Sequence, residues 1–230
     1  MAFLKGHWQL IALTALIAAL WQTPVVVPLK ILIVFLHELS HALATVLTGG
    51  EVVSLSIDPR EGGLVISRGG SRFVALSAGY VGSLLIGVAL FVVAIRTTWD
   101  KAVVGLLGVV LLGATAAYVR EWFALGFGVV SAALLLGAAR FLNREINDLI
   151  LRVIGLASMI YVPLDIFSDT IARSHLRSDA RMLAEEFAGP TLFWGGLWLV
   201  ISLIVIGYSL RYVLGRDSNI ALRGPDRYST

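Results

Sequence analysis

Cysteine is absent from this chain of 230 residues, and charged side chains make up only 14% of it. Without cysteine there are no disulfides and no thiolate ligands, so any metal site would have to use histidines and carboxylates. An average globular domain carries about 25% charged residues. The formal net charge of +3 is small and spread along the sequence, which argues against a nucleic-acid-binding surface.

Hydrophobic residues, in contrast, make up 58% of the chain. This composition predicts an all-α polytopic membrane protein with about six to seven transmembrane helices. Lys5 before an apolar stretch resembles the start of a signal peptide. However, no small-residue cleavage site follows Trp21, and apolar sequence resumes at Val25. We therefore predict a retained first membrane helix over Trp8–Val27.

A β-hairpin is predicted between Glu51 and Arg72, because β-branched runs flank the turn-rich segment 58–63. Either it is a connecting loop with incidental β-propensity, or its outer strand pairs with an extended substrate backbone. A short capped helix is expected at Ser178–Glu186. Further membrane helices are predicted at Lys30–Thr48, Phe73–Ile95, Ala102–Val119, Trp122–Ala139, Leu149–Phe167 and Thr191–Leu214.

The domain organisation follows from these segments. We expect residues 1–215 to form one integral-membrane domain, with the hairpin inserted at about residues 51–70. Residues 216–230 are expected to be a flexible polar tail.

The pattern His-Glu-x-x-His at positions 37–41 lies inside the apolar run from Ile31 to Leu47. On a helix, His37 and His41 share one face and together can bind one Zn²⁺. Glu38 beside them is placed to act as general base on a zinc-bound water that serves as nucleophile.

The alternative for this pattern is a pair of histidines that only form hydrogen bonds inside a helix bundle. An ionisable side chain at bilayer depth costs about 2.5–3.5 kcal/mol on insertion scales, so such residues usually have a function. Three of them at metalloprotease spacing favour the metal site.

A catalytic zinc normally has three protein ligands and one open position. His7 and His175 are expected to be surface residues. Asp165 is our preferred third ligand, because it lies deepest in an apolar segment and a buried carboxylate needs a cation. Asp169 is the second choice, or a partner that orients a histidine. For Asp179, helix capping or an ion pair with a nearby arginine suffices.

Several stretches, in the same order, resemble the site-2 protease family of intramembrane zinc metalloproteases. They are similar to the small subgroup without an inserted PDZ domain, found in bacteria and fungi. The matching stretches are His37–Ala44 with Thr48–Gly50, Gly62–Gly63 with Gly69–Arg72, Ala78–Gly82, and Asp165–Asp169 leading to Ser178–Ala180.

This resemblance implies a zinc site within the membrane, held by both histidines and an aspartate from a later helix, and hydrolysis of peptide bonds in or beside membrane helices. One departure concerns the aspartate. Better-studied members carry it in an Asn-Pro-Asp-Gly or Leu-Asp-Gly context, and Leu164-Asp165-Ile166 lacks the glycine.

We therefore predict a zinc metalloendopeptidase, in a bacterial cell membrane, whose partners are membrane-protein substrates, such as transmembrane helices, and the lipid bilayer. One alternative is a non-catalytic zinc-binding protein that regulates or chaperones membrane partners, although pure metal binding would not need Glu38. Another is a metal or proton transporter, which would need a continuous polar route through several helices. The helices predicted at 102–139 are almost bare of polar groups.

Overall fold

A computed structural model of the chain describes residues 2–173, 177–215 and 217–220. Within these ranges there are eight α-helices and one two-stranded antiparallel sheet, and seven helices are long and apolar enough to cross a membrane. The predicted all-α membrane fold with a short hairpin is confirmed. The elements are α1 (Ala2–Leu20), α2 (Val27–Leu47), β1 (Glu51–Ile57), β2 (Gly63–Arg68), α3 (Arg72–Arg96), α4 (Asp100–Tyr118), α5 (Trp122–Phe141), α6 (Arg144–Phe167), α7 (Asp179–Phe187) and α8 (Thr191–Val213).

The first helix is shifted from its predicted bounds of Trp8–Val27. It ends at Leu20, and Thr23 then adopts an extended backbone before Pro24, as residues preceding proline do. A short 3-10 turn over Pro24–Val26 leads directly into α2. The predicted bounds were wrong because the proline, and not the hydropathy, decides where the helix stops.

Helices α2, α3 and α6 form the interior of the bundle. Of the apolar membrane-span segment of each helix, 56% is buried inside the protein for α2 and 61% for α6. The corresponding shares are 22% for α1 and 17% for α8. Small residues allow this close packing: a Cβ on Gly87 of α3 would collide with Ser158, and one on Gly155 of α6 with Phe91. The histidine motif thus lies on one of the most enclosed helices.

The hairpin runs back along α2 after that helix ends. Gly49 adopts a positive φ of 84°, and the Gly50 amide donates to the Thr45 carbonyl at 2.8 Å, which closes the helix. Strand β1 then buries Leu55 and Ile57 in the core. Strands β1 and β2 pair in antiparallel orientation, and their register shifts between Val52 and Ser54.

Helix α6 is longer than the predicted apolar segment Leu149–Phe167. It begins at Arg144, where the Asn143 side chain accepts a hydrogen bond from the Ile146 amide at 3.0 Å, so the charged connection is part of the helix. Past Pro163 the helix continues as a π-helical turn over Ser168–Ala172. Residues 174–176, including His175, and the tail beyond 220 lie outside the described residues.

Candidate metal centre

Helix α2 places the two histidines of the motif side by side. The His37 and His41 ring centroids are 4.7 Å apart, with the rings at 76° to each other. This arrangement follows from the four-residue spacing, which puts both side chains on one face of the helix.

The carboxylate of Asp179 reaches this pair from α7. Its Oδ2 lies 3.0 Å from Nε2 of His37 and 3.2 Å from Nε2 of His41. One ligand atom from each of the three residues lies within 4.8 Å of the others. Two imidazole nitrogens and one carboxylate oxygen are a donor set that suits zinc, and three protein ligands leave the fourth position open. The donor set therefore fits the predicted metal.

The position of Asp179 at the start of α7 has a local cause. Ser178 caps the helix by accepting a hydrogen bond from the Arg181 amide at 3.3 Å, so the next side chain emerges at the first turn. Ala180 and Leu183 are fully buried and hold α7 against the bundle. Burial by itself would raise the pKa of the Asp179 carboxyl, but the adjacent His41 and His37 imidazoles hold that pKa well below its usual range.

The orientation of His41 is fixed by the backbone of α3. Its Nδ1 lies 2.7 Å from the Ala75 carbonyl oxygen, which can only accept, so Nδ1 carries the proton. Nε2 is therefore the ring nitrogen that faces Asp179 and the cavity, and the one available to a metal. Partners of this kind set the tautomer of metal-binding histidines.

Two glycines give the site its space. A Cβ on Gly79 of α3 would collide with the Nε2 atoms of both histidines, and a Cβ on Gly63 of β2 would lie 2.7 Å from Cγ of Glu38. Only a residue without a side chain allows α3 and β2 to approach this closely. Glu38 itself is buried, at 5% exposure, between the hairpin and the histidines.

Asp165 and Asp169, the predicted third ligand and its second choice, are not grouped with the histidines. Asp165 lies 3.5 Å from the Arg173 guanidinium, and Asp169 lies 2.8 Å from it. The Tyr80 hydroxyl also donates to Asp169 Oδ2 at 2.8 Å, and the Tyr80 ring stands edge-on to His37 with 5.0 Å between centroids. Of the three aspartates, Asp179 is therefore the one whose carboxylate meets both histidines.

Sequence reasoning ranked Asp179 last because helix capping explained it sufficiently. The available signal was the motif resemblance, in which Ser178-Asp179-Ala180 is one of the matching stretches. His7, expected at the surface, is in fact buried at 2% exposure, with its Nδ1 2.7 Å from the Ser218 hydroxyl. That expectation was wrong because the segment after α8 covers this histidine.

A cavity of about 240 Å³ adjoins the histidines, Glu38 and Asp179. Residues 63–65 and Ser67 of strand β2 line part of it. The lining also includes polar residues from α3, from α6 and from the segment between α6 and α7: Arg72, Tyr80, Tyr161, Asp165, Asp169, Arg173, Arg177 and Ser178. The cavity thus combines the histidines and Glu38 with polar groups from several other elements.

Comparison with known proteins identifies one family. The family model described as Peptidase M50B-like matches residues 10–209, which include the motif helix, the hairpin and α7. No curated protein and no solved structure matches the chain significantly. The match thus covers α2 to α7 entirely, and α1 and α8 in part.

Proposed function

The chain belongs to the Peptidase M50B-like family, and we propose that it is a zinc metalloprotease that hydrolyses peptide bonds of membrane proteins within or next to the bilayer. The site-2 protease resemblance of the motifs is confirmed by this family. The observation that carries the proposal is the grouping of His37, His41 and Asp179 around a cavity that also contains Glu38.

The roles of the side chains follow from their positions. His37, His41 and Asp179 would hold the metal, and Ala75 would keep His41 in the tautomer that binds it. Bound Zn²⁺ would supply Lewis-acid activation of a water molecule and of the scissile carbonyl. Glu38 would accept the proton of the attacking water and deliver it to the leaving amine.

Substrate recognition is assigned to the hairpin. In the described residues β2 pairs only with β1, and residues of β2 line the cavity. An extended peptide added to the free edge would align its carbonyls along the cavity. A helical substrate would first have to unwind locally, because a helix keeps its carbonyls in internal hydrogen bonds.

The second candidate function is zinc-dependent regulation of membrane partners without hydrolysis. It would use the same three ligands but would not need a carboxylate at position 38. The close approach of Gly63, which gives Glu38 its place beside the cavity, favours the hydrolytic function.

The test compares cells that produce the wild-type chain with cells that produce Glu38→Gln, by mass spectrometry of protein N-termini in isolated membranes. We expect new N-termini within or beside membrane segments in the wild-type cells alone, with equal zinc content in the two purified proteins. Identical sets of N-termini at equal expression would overturn the hydrolytic function and favour the regulatory one.

A further inference from the structure

Lys30 is a buried cation in the first turns of α2, at 8% exposure. Its Nζ lies 3.2 Å from Oε1 of Glu61 in the hairpin tip and 5.0 Å from the centroid of the Trp21 ring. A lysine enclosed in an apolar bundle needs such partners, because an unpaired buried charge is strongly unfavourable. This pair joins the hairpin tip to the helix that carries Glu38.

The tip itself is a tightly bonded unit. Oδ1 of Asp58 accepts hydrogen bonds from the amides of Arg60 at 2.6 Å and Gly62 at 3.1 Å, and the Asp58 amide donates to the Gly62 carbonyl at 2.8 Å. Glu61 has a positive φ of 65°, which is uncommon for a residue with a Cβ. A contact that holds Glu61 therefore fixes the backbone on both sides of it.

The next residues connect this anchor to the proposed catalytic carboxylate. Gly63 follows Glu61 by two positions and packs directly on Glu38, which follows Lys30 by eight positions on α2. Eight helical residues span about 12 Å. Besides the core packing of β1, the hairpin thus contacts α2 at two further points along the helix: the ion pair at its tip and the Gly63–Glu38 contact.

We propose that Lys30, through Glu61, is a positioning residue that sets the distance between the edge strand β2 and Glu38. The role in catalysis rests on the proposed function, but the attachment of the hairpin does not. Loss of the ion pair would leave the metal ligands in place, because none of them lies on the hairpin. It would let β2 move relative to Glu38.

The experiment measures hydrogen–deuterium exchange of the full-length protein in detergent for Lys30→Met and, as a milder variant, Glu61→Gln. We expect loss of protection in residues 58–68, no change in α7, and wild-type zinc content. Lys30→Arg should retain protection, and the exchanged pair Lys30→Glu with Glu61→Lys should regain part of it. Lys101→Met, an exposed lysine at the start of α4, is the matched control.

Unchanged protection of residues 58–68 in both Lys30→Met and Glu61→Gln would overturn the attachment. In the cleavage assay of membrane N-termini, Lys30→Met should reduce product formation and Lys30→Arg should restore it. If the wild type forms no product, the proposed function fails, while the exchange result still decides whether Lys30 holds the hairpin.

The ends of the helices carry an independent inference about membrane topology. At one end of the bundle, the Arg96 guanidinium that ends α3 donates to the Tyr212 carbonyl of α8 at 2.6 Å, and Arg144 at the start of α6 lies 2.7 Å from Asp100 at the start of α4. We call this the Arg96 end. The Phe73 and Trp194 rings, at the starts of α3 and α8, meet at the other end with 5.9 Å between centroids.

Helix α1 also starts at the Arg96 end. The Ser218 hydroxyl lies 2.7 Å from Nδ1 of His7, and the Ser218 carbonyl accepts a hydrogen bond from Arg152 near the start of α6. The Asn219 side chain donates to the Lys5 carbonyl at 2.9 Å. These contacts hold the start of α1 beside the chain segment that leaves α8.

Helix α2 starts toward this same end. It runs antiparallel to α3, because His41 contacts Ala75 and Thr48 contacts Ser71. Helices α1 and α2 therefore both start toward the Arg96 end. If α1 crossed the membrane completely, the connection over residues 21–26 would have to lead the chain back across about 30 Å of hydrocarbon before α2 begins. Six residues are too few for that distance, so α1 and α2 cannot both be complete crossings.

We infer that the described residues cross the membrane six times, and that α1 lies against α6 without a crossing of its own. The start of α1 and residues 217–220 are then on one side of the membrane. The polar end of the cavity, with α7, opens toward the other side.

Single cysteines test this topology cleanly, because the natural chain contains none. Lys5→Cys, Asp217→Cys and Glu121→Cys, all at exposed positions, would be labelled with a membrane-impermeant maleimide in sealed vesicles of both orientations. We expect Lys5→Cys and Asp217→Cys to react in one orientation and Glu121→Cys in the other. Reaction of Lys5→Cys together with Glu121→Cys, as seven crossings require, would overturn the inference. The cysteine-free chain measures the background.

Discussion

Asp179 Oδ2 lies 3.0 Å from Nε2 of His37, although 142 residues separate the two in sequence. The aspartate comes from a short helix outside the membrane-spanning helices, whereas the histidine lies within α2. The metal site we propose is therefore completed by a segment that packs onto the end of the bundle.

The first prediction concerns the identity of the third ligand. The wild-type protein, purified in detergent, should contain about one zinc per chain, as a three-ligand catalytic site does. Asp179→Ala and His37→Ala should lose the metal, because each removes one of three ligands. Asp165→Ala is the matched control and should keep it, since Asp165 pairs with Arg173. Elemental analysis gives the answer, and zinc loss in Asp165→Ala alone would identify Asp165 as the third ligand.

Glu38 should be needed for hydrolysis and dispensable for metal binding. Glu38→Gln keeps the shape of the side chain beside Gly63 but removes the base. We expect the rate of product formation to fall by about 10²–10⁴-fold, the usual contribution of a positioned acid–base group. Zinc content should equal that of the wild type. Wild-type cleavage by this variant would contradict the assigned role.

Gly79 should tolerate no side chain. In Gly79→Ala the new Cβ would meet Nε2 of both histidines, so the rings must turn away from Asp179 and zinc content should fall. Gly113→Ala on α4 is the control, because no atom lies within 4 Å of its added Cβ. That control should keep its zinc and be as stable as the wild type or slightly more stable. Equal zinc in both variants would show that α3 can move aside.

Tyr80 should act mainly through its ring. Tyr80→Phe loses the hydrogen bond to Asp169 but keeps the edge-on contact with His37. Tyr80→Ala loses both, and we expect zinc affinity to fall by about 10–100-fold, as for other residues that orient a ligand. Competition with a zinc chelator measures both affinities. An equal loss in Tyr80→Phe and Tyr80→Ala would assign the effect to the hydroxyl instead.

Removal of zinc should loosen α7. A ligand that binds only the folded state at 100 times its dissociation constant stabilises that state by about 2.7 kcal/mol. Chelation should therefore lower the unfolding temperature and increase hydrogen exchange in α7 more than in α4. Leu183, which is fully buried, should keep α7 folded onto the bundle. In Asp179→Ala the chelator should have no effect on either quantity.

In α2, the sequence alone determined the arrangement of the site residues. The spacing of His37 and His41 places both rings on one face in any α-helix, so the pair and Glu38 followed from local geometry alone. The apolar runs predicted the membrane helices, since a span must keep its backbone groups bonded internally. Turn chemistry predicted the hairpin, because Asp58, Gly62 and Gly63 favour a reversal.

Tertiary structure alone decided the rest. Asp165 and Asp179 are both acidic residues near polar segments. The packing of α7 places Asp179 beside the histidines, whereas Asp165 forms an ion pair with Arg173. The burial of Lys30 against Glu61 depends on how far the hairpin folds back along α2. Hydropathy shows how long each apolar segment is but not in which direction it runs through the bundle. The direction of α1 is therefore defined only by its contacts with residues after α8.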